Sequence, residues 1–267
     1  MRLTAQEEAE AERQALRLRE MHGLGTAPVG DVVDLVATCG RCDVTVVPMP
    51  DGVDGVIARD PQTERSVVAV ATTEAWARQR MTLVHELGHL VFDGLDRDLP
   101  ADCAGDGTAE SQATSFGRHL LAPRPGVSAL LERSGAARGG VDESHLSQVV
   151  YHYGVSAEVA SIQMRDEGWT DVDQAARWIA GAVTTKHLAT RYGWTTEHEC
   201  RAAQARAERP PARLLRDVTD AYVAGRVTVG AVAAVLGRDI DQVRADLAAE
   251  GVEPRAPEVT WFEFDDV

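Results

Sequence analysis

The chain has no apolar run of the length that a secretion signal or a membrane span requires, and its first twenty residues are rich in Glu, Arg and Ala. That predicts a cytoplasmic protein without a membrane role. Cysteine is scarce, with four residues at 39, 42, 103 and 200 in a chain of 267. So few exclude a disulfide scaffold, agree with a reducing compartment and predict free thiols. Positive charge is short as well: 27 Lys and Arg stand against 42 Asp and Glu, for a formal net charge of -15. Such a balance opposes attraction to phosphate backbones and anionic lipid and favours a basic partner, so no direct nucleic-acid binding is expected.

What is present is an ordinary globular composition, 44% apolar and 26% charged, in a chain long enough to bury a substantial core. Residues 1–27 are expected to be dominated by one solvated helix, because residues 4–22 alternate acids and arginines with Ala and Leu. Residues 31–39 have helical spacing, with Gly40 placed as a C-cap. Three β-rich runs at 43–49, 55–59 and 65–71 are separated by Pro-Asp-Gly and Asp-Pro turn chemistry and predict a small antiparallel sheet.

A helix over 73–93 follows, which Gly94 can stop, and then an Asp-rich loop. A second helix, 109–121, should end at Pro123 and Pro125. A core over 28–135 would thus precede a helical region at 136–209, which opens with a helix-turn-helix outline at 142–168 and continues with helices near 171–183 and 196–208. Consecutive prolines at 210 and 211 mark a boundary before a small helical module, 210–267, which closes on an acidic-aromatic tail at 261–266. A second such outline lies at 214–250; its second helix sets Arg244 against Asp241, Asp246 and Glu250, as that of the first sets Arg165 against Glu158, Asp166 and Glu167, so both would repel phosphates and predict packing or protein recognition and not DNA binding.

Within the 73–93 helix lies His85-Glu86-Leu87-Gly88-His89. Two histidines four residues apart share one helix face and can converge on a single ion, while Glu86 can reach a metal-bound water. Zinc catalysis needs three protein ligands, an open position and a base for a water of lowered pKa, so His85 and His89 supply two ligands and Glu86 the base. Leu83, Val84, Leu87, Leu90, Val91 and Phe92 make this helix apolar nearly all round. Buried His and Glu without partners would be unfavourable, which argues against chance occurrence of the motif.

The third ligand must lie elsewhere, because Asp93 sits roughly 12 Å from His85 along the helix axis. The extended pattern with Gly and His beyond the second ligand is missing, since those positions hold Phe92 and Leu95. Glu110 lies on the extension of an apolar stripe formed by Ala113, Phe116, Gly117, Leu120 and Leu121, and reads equally as a ligand or as a first-turn acid on the helix dipole. Asp102, Cys103 and Asp106 are further candidates. For the oxyanion donor the candidates are His119, His145, Tyr151, His152 and Tyr153. Cys39-Gly40-Arg41-Cys42 lacks the second pair that a structural zinc site needs, and Glu197-His198-Glu199-Cys200 does not share one helix face.

The run 80–90 that contains this motif, paired with Ala109-Glu110-Ser111-Gln112-Ala113, Phe116 and Leu120-Leu121-Ala122-Pro123, resembles the ImmA/IrrE metallopeptidases over roughly residues 28–168. The resemblance implies an α+β, zincin-like domain with a buried active-site helix and a mostly helical C-terminal half. It makes Glu110 the third zinc ligand and implies peptide-bond hydrolysis, with a DNA-binding repressor as substrate, cleaved under stress or DNA damage. This chain departs from the family in Ala113-Thr114-Ser115-Phe116, where Ala-Asn-x-Phe-Ala is common, and in the segment beyond Pro211. The alternative function is a non-proteolytic regulator that uses the zinc site as a fold element and its helical modules to bind protein or DNA.

Overall fold

The computed structural model describes residues 3–63, 65–93, 107–181 and 183–255. The expected Gly94 helix stop, the Asp-rich loop residues 94–106 with Asp102, Cys103 and Asp106, and the tail at 261–266 lie outside them. The chain divides into two compact units, Met1–Glu208 and Arg209–Val267. The architecture is α+β, with a small three-stranded sheet followed by a helical C-terminal half. Among the described residues no helix is long and apolar enough to cross a membrane.

In the first unit, α1 (Ala5–Met21) and α2 (Val32–Gly40) precede β1 (Asp43–Val47), β2 (Gly55–Arg59) and β3 (Ser66–Ala71). The sheet order is β1-β3-β2. β3 pairs parallel with β1 and antiparallel with β2, which corrects the expectation of an all-antiparallel sheet. The connections explain the difference. β2 and β3 are joined by a tight turn in which the Asp60 carboxylate accepts from the Gln62 N–H and the Thr63 hydroxyl, so they form a hairpin. Between β1 and β2 the chain runs through Pro48 and Pro50, which have no N–H for a hairpin ladder, and β1 takes the opposite edge of β3.

α3 (Trp76–Asp93) crosses this sheet and packs against α2 and α4 (Gly107–Leu121). Its Leu83, Val84, Leu87 and Leu90 are buried with Val68 and Val70 of β3 and Phe116, Leu120 and Leu121 of α4 in one core. Gly40 is the last residue of α2 and not its cap: Arg41 takes the left-handed conformation, and the missing side chain at 40 lets α2 lie on Leu87 and Leu90. Pro123 and Pro125 do more than end α4. They open α5 (Arg124–Arg133), where a proline in the first turn loses no helical hydrogen bond.

α1 is not the freely solvated helix its charge pattern suggested. Ala11, Ala15, Leu18 and Arg19 are buried, and Arg19 donates to the carbonyls of Gly25, Ala27 and Leu120. Glu8 accepts from Ser115, Arg118 and His119 of α4, and Glu12 accepts from Arg124. A helix dense in charge can thus turn its acids inward when the neighbouring helix presents matching donors.

The unit continues with α6 (Glu143–Tyr153) and α7 (Ala157–Asp166), joined through left-handed Gly154. α8 (Val172–Ala180), α9 (Thr185–Arg191) and α10 (Thr195–Arg206) complete it. The second unit holds α11 (Ala212–Val223), α12 (Val229–Leu236) and α13 (Ile240–Ala249). Its own core is Tyr222, Val232, Ala233 and Val243 with Leu215, Val218, Leu236 and Leu247 around them.

Candidate metal centre

Two glycines decide how close α3 and α4 come. A Cβ at Gly88 would lie 2.9 Å from the Cα of Ala113, and one at Gly117 would lie 2.7 Å from Cε of Met81 and 2.9 Å from Cγ2 of Val84. Only small residues permit that approach. The edge-on pair of Phe92 and Phe116, with ring centroids 5.9 Å apart, closes the same seam further along.

This close packing brings Glu110, in the first turn of α4, to the histidine face of α3. Nε2 of His85 lies 3.1 Å from Glu110 Oε2 and 3.1 Å from Nε2 of His89, which is itself 3.2 Å from Glu110 Oε1. Among the described residues, His85, His89 and Glu110 are the group of metal-ligating side chains whose donor atoms converge. Zinc bonds of about 2.0–2.2 Å in a tetrahedron imply donor separations of about 3.3–3.5 Å, so this triangle needs little adjustment to close on an ion. The donor set of two imidazoles and a carboxylate is one that catalytic zinc uses. Burial and the adjacent His89 push the His85 imidazole below its ordinary pKa, against the pull of Glu110. A neutral ring is the form that ligates a metal.

Glu86 is 6% exposed, and its Oε2 has no hydrogen-bond partner among the described residues. Burial, with a smaller contribution from the charge of Glu110, raises its carboxyl to about 7. Gly55, the first residue of β2, stands directly over it: a Cβ there would lie 3.1 Å from Glu86 Oε1 and 2.6 Å from Cγ2 of Thr82. The missing side chain keeps the face of the base open. Beside the triad, a cleft of about 690 Å³ is lined by Glu110, Ser111 and Thr114 of α4 and by Leu3, Thr4, Ala5 and Glu8 at the start of α1.

Of the five residues suggested as oxyanion donors, His119, His145 and Tyr153 have their polar atoms engaged elsewhere, and Tyr151 and His152 make ring contacts. His119 is fully buried and meets Glu8 at 3.0 Å and Gln163 at 3.3 Å. His145 serves the cap of α6 through Asp142, and the Tyr153 hydroxyl donates to the Thr26 carbonyl. Tyr151 packs against Trp194 and under Arg201, and His152 stands edge-on to Tyr153. The weaker motifs are also structural. Cys39 and Cys42 are free thiols that burial raises to about 11, and Nδ1 of His198 accepts from the Trp76 indole.

Sequence reasoning did not find Gly55 or Thr114. Gly55 carries no side chain to mark it, and the one signal for Thr114 is its spacing of four residues from Glu110 on α4. Thr114 Oγ1 lies 3.2 Å from Nδ1 of His85.

No curated protein matches the chain significantly. A family model does: the peptidase M78 model, described as the IrrE N-terminal-like domain, matches residues 39–165. That stretch holds the motif on α3, Glu110 on α4 and the sheet beneath them. Residues 39–165 therefore form a domain similar to the M78 peptidases, in agreement with the ImmA/IrrE resemblance of the motifs.

Proposed function

We propose that this domain is a zinc-dependent endopeptidase in which His85, His89 and Glu110 hold the metal and Glu86 is the general base. The observation that carries the reading is the state of Glu86, a buried carboxylate with an unpartnered oxygen next to two converging imidazoles. A metal that served the fold alone would need no such base, which is why the non-proteolytic alternative is not favoured. Bound zinc supplies a Lewis acid for the scissile carbonyl and a water of lowered pKa. Glu86 would accept a proton from the attacking water and return it to the leaving amine, and a raised carboxyl pKa suits a group that must do both.

An extended peptide has a natural seat beside this base. β2 is an edge strand, and Asp54 and Asp60 direct their carbonyl and N–H to the β3 side. By alternation, the N–H and C=O of Gly55 and Ile57 face the open edge, where a substrate segment can add as a strand.

For the substrate we propose a basic helix-turn-helix repressor, cut at one or few sites in an accessible segment outside its DNA-binding core, in response to stress or DNA damage. Support comes from the net charge of -15 and from the aspartates that follow α3 in sequence at 96, 98, 102 and 106. The acid-base pairing of the helices agrees with a protein partner: Arg165 is held by Asp166, and Arg244 by Asp241.

Incubation of the purified protein with the repressor-like product of an adjacent gene, with and without a chelator, tests the reading. Cleavage should require metal and should vanish in Glu86→Gln, which keeps the metal but cannot accept the proton. Cleavage by the Gln variant at the parent rate would exclude the mechanism, and indiscriminate digestion of casein would exclude the repressor as the specific substrate.

A further inference from the structure

We infer that Thr114 is a positioning residue for the metal centre: its hydroxyl accepts the Nδ1 proton of His85 and so fixes both the tautomer and the rotation of that ring. The inference rests on the metal-centre reading above.

The ring nitrogens of His85 are both accounted for. Nε2 faces Glu110 Oε2 and His89 Nε2, each at 3.1 Å, while Nδ1 lies 3.2 Å from Thr114 Oγ1. A neutral imidazole that ligates through Nε2 carries its proton on Nδ1, and that proton needs an acceptor. The hydroxyl oxygen of Thr114 is at the right distance to be one.

Thr114 sits four residues after Glu110 on α4, one turn along the same face. A single helix therefore grips His85 twice, with a carboxylate at the ligating nitrogen and a hydroxyl at the opposite nitrogen. Rotating the ring would break both contacts at once. The β-branched threonine suits this task because its χ1 has few choices in a helix. Thr114 is exposed and lines the cleft beside the triad, so water can replace part of what the hydroxyl does. That places the expected effect at the low end of what outer partners of metal ligands contribute.

The test measures zinc affinity by competition with a chromophoric chelator in the full chain, for the parent, Thr114→Val, Thr114→Ser and His85→Ala. Valine keeps the shape and removes the hydroxyl, and it should weaken zinc binding about tenfold. Serine restores the hydroxyl and should return affinity close to the parent value. Parent affinity in Thr114→Val would overturn the inference, as would equal weakening by valine and serine, which would mark a packing role. The ¹⁵N spectrum of the zinc-loaded parent supplies a check that needs no variant: His85 should be coordinated through Nε2 and protonated on Nδ1, and coordination through Nδ1 would overturn the proposal. His85→Ala separates the two levels. Parent affinity in that variant would sink the metal-centre reading itself, whereas loss of zinc there, together with parent affinity in Thr114→Val, would sink only the role of Thr114.

Discussion

At the scale of the residue, the metal centre joins two kinds of information. His85, Glu86 and His89 come from one helical turn, so spacing alone places them on α3 with a shared face. Glu110 is 25 residues away from His85, and its spacing left a ligand and a dipole-favouring acid equally open. Contact across two helices sets its carboxylate beside both imidazoles, which favours the ligand. Glu110→Ala should therefore remove most bound zinc, whereas Asp102→Ala, Cys103→Ala and Asp106→Ala should retain it. Metal analysis of the four purified variants checks this, and full occupancy in the Glu110 variant would assign the third ligand to another residue. Glu86 shows the complementary point. Its proposed role as base was read from its place after His85, but the burial that raises its carboxyl to about 7 depends on the surrounding packing.

At the scale of the element, the α3–α4 pair is the device that assembles the site, and its tolerance is set by Gly88. A methyl group there would press on the backbone of Ala113 at 2.9 Å, where no side chain can rotate away. Gly88→Ala should separate the helices, destabilise the fold by about 1–3 kcal/mol and weaken zinc binding, although it removes no ligand. Thermal denaturation and a zinc titration on the same sample measure both effects. Parent values in both would show that the helix seam does not govern the site.

α1 stabilises the far side of α4, and that contribution is pH-dependent. The hydrogen bond from His119, supported by Ser115 and Arg118, holds the Glu8 carboxyl at about 2 against the opposing effect of burial. A carboxylate whose folded pKa lies below its ordinary 4.5 adds stability above about pH 4.5 and loses it as the pH falls toward 2. Glu8 remains partly in contact with solvent, which limits the contribution to about 1–2 kcal/mol. Glu8→Gln should be less stable than the parent at neutral pH, with the gap narrowing toward pH 2–3. Urea titrations across that range would reject the assignment if the gap stayed constant.

At the scale of the whole molecule, charge is the property that acts beyond the site. A net charge of -15 raises encounter with a basic partner and does so less as salt screens it. Reversal of Asp96 and Asp98 to Lys should slow cleavage of a basic substrate at low ionic strength, with the two rates converging at high salt and zinc content unchanged. Equal rates across a salt series would remove this electrostatic contribution. The second unit, Arg209–Val267, has its own small core and lies outside the matched residues 39–165.

The sequence by itself determined the chemistry and the local elements. Helical periodicity located α3 and the apolar stripe of α4, alternation and turn residues located the three strands, and two histidines with a glutamate marked a candidate metal site on α3. The tertiary structure decided what no local period encodes. It placed β3 between β1 and β2, because Pro48 and Pro50 interrupt a β1–β2 hairpin and β3 can bond a strand on each edge. It turned Glu8 and Glu12 inward, because α4 and Arg124 present donors to them. It brought Glu110 and Thr114 to the two nitrogens of His85, because Gly88 and Gly117 let two helix backbones approach where any larger residue would hold them apart.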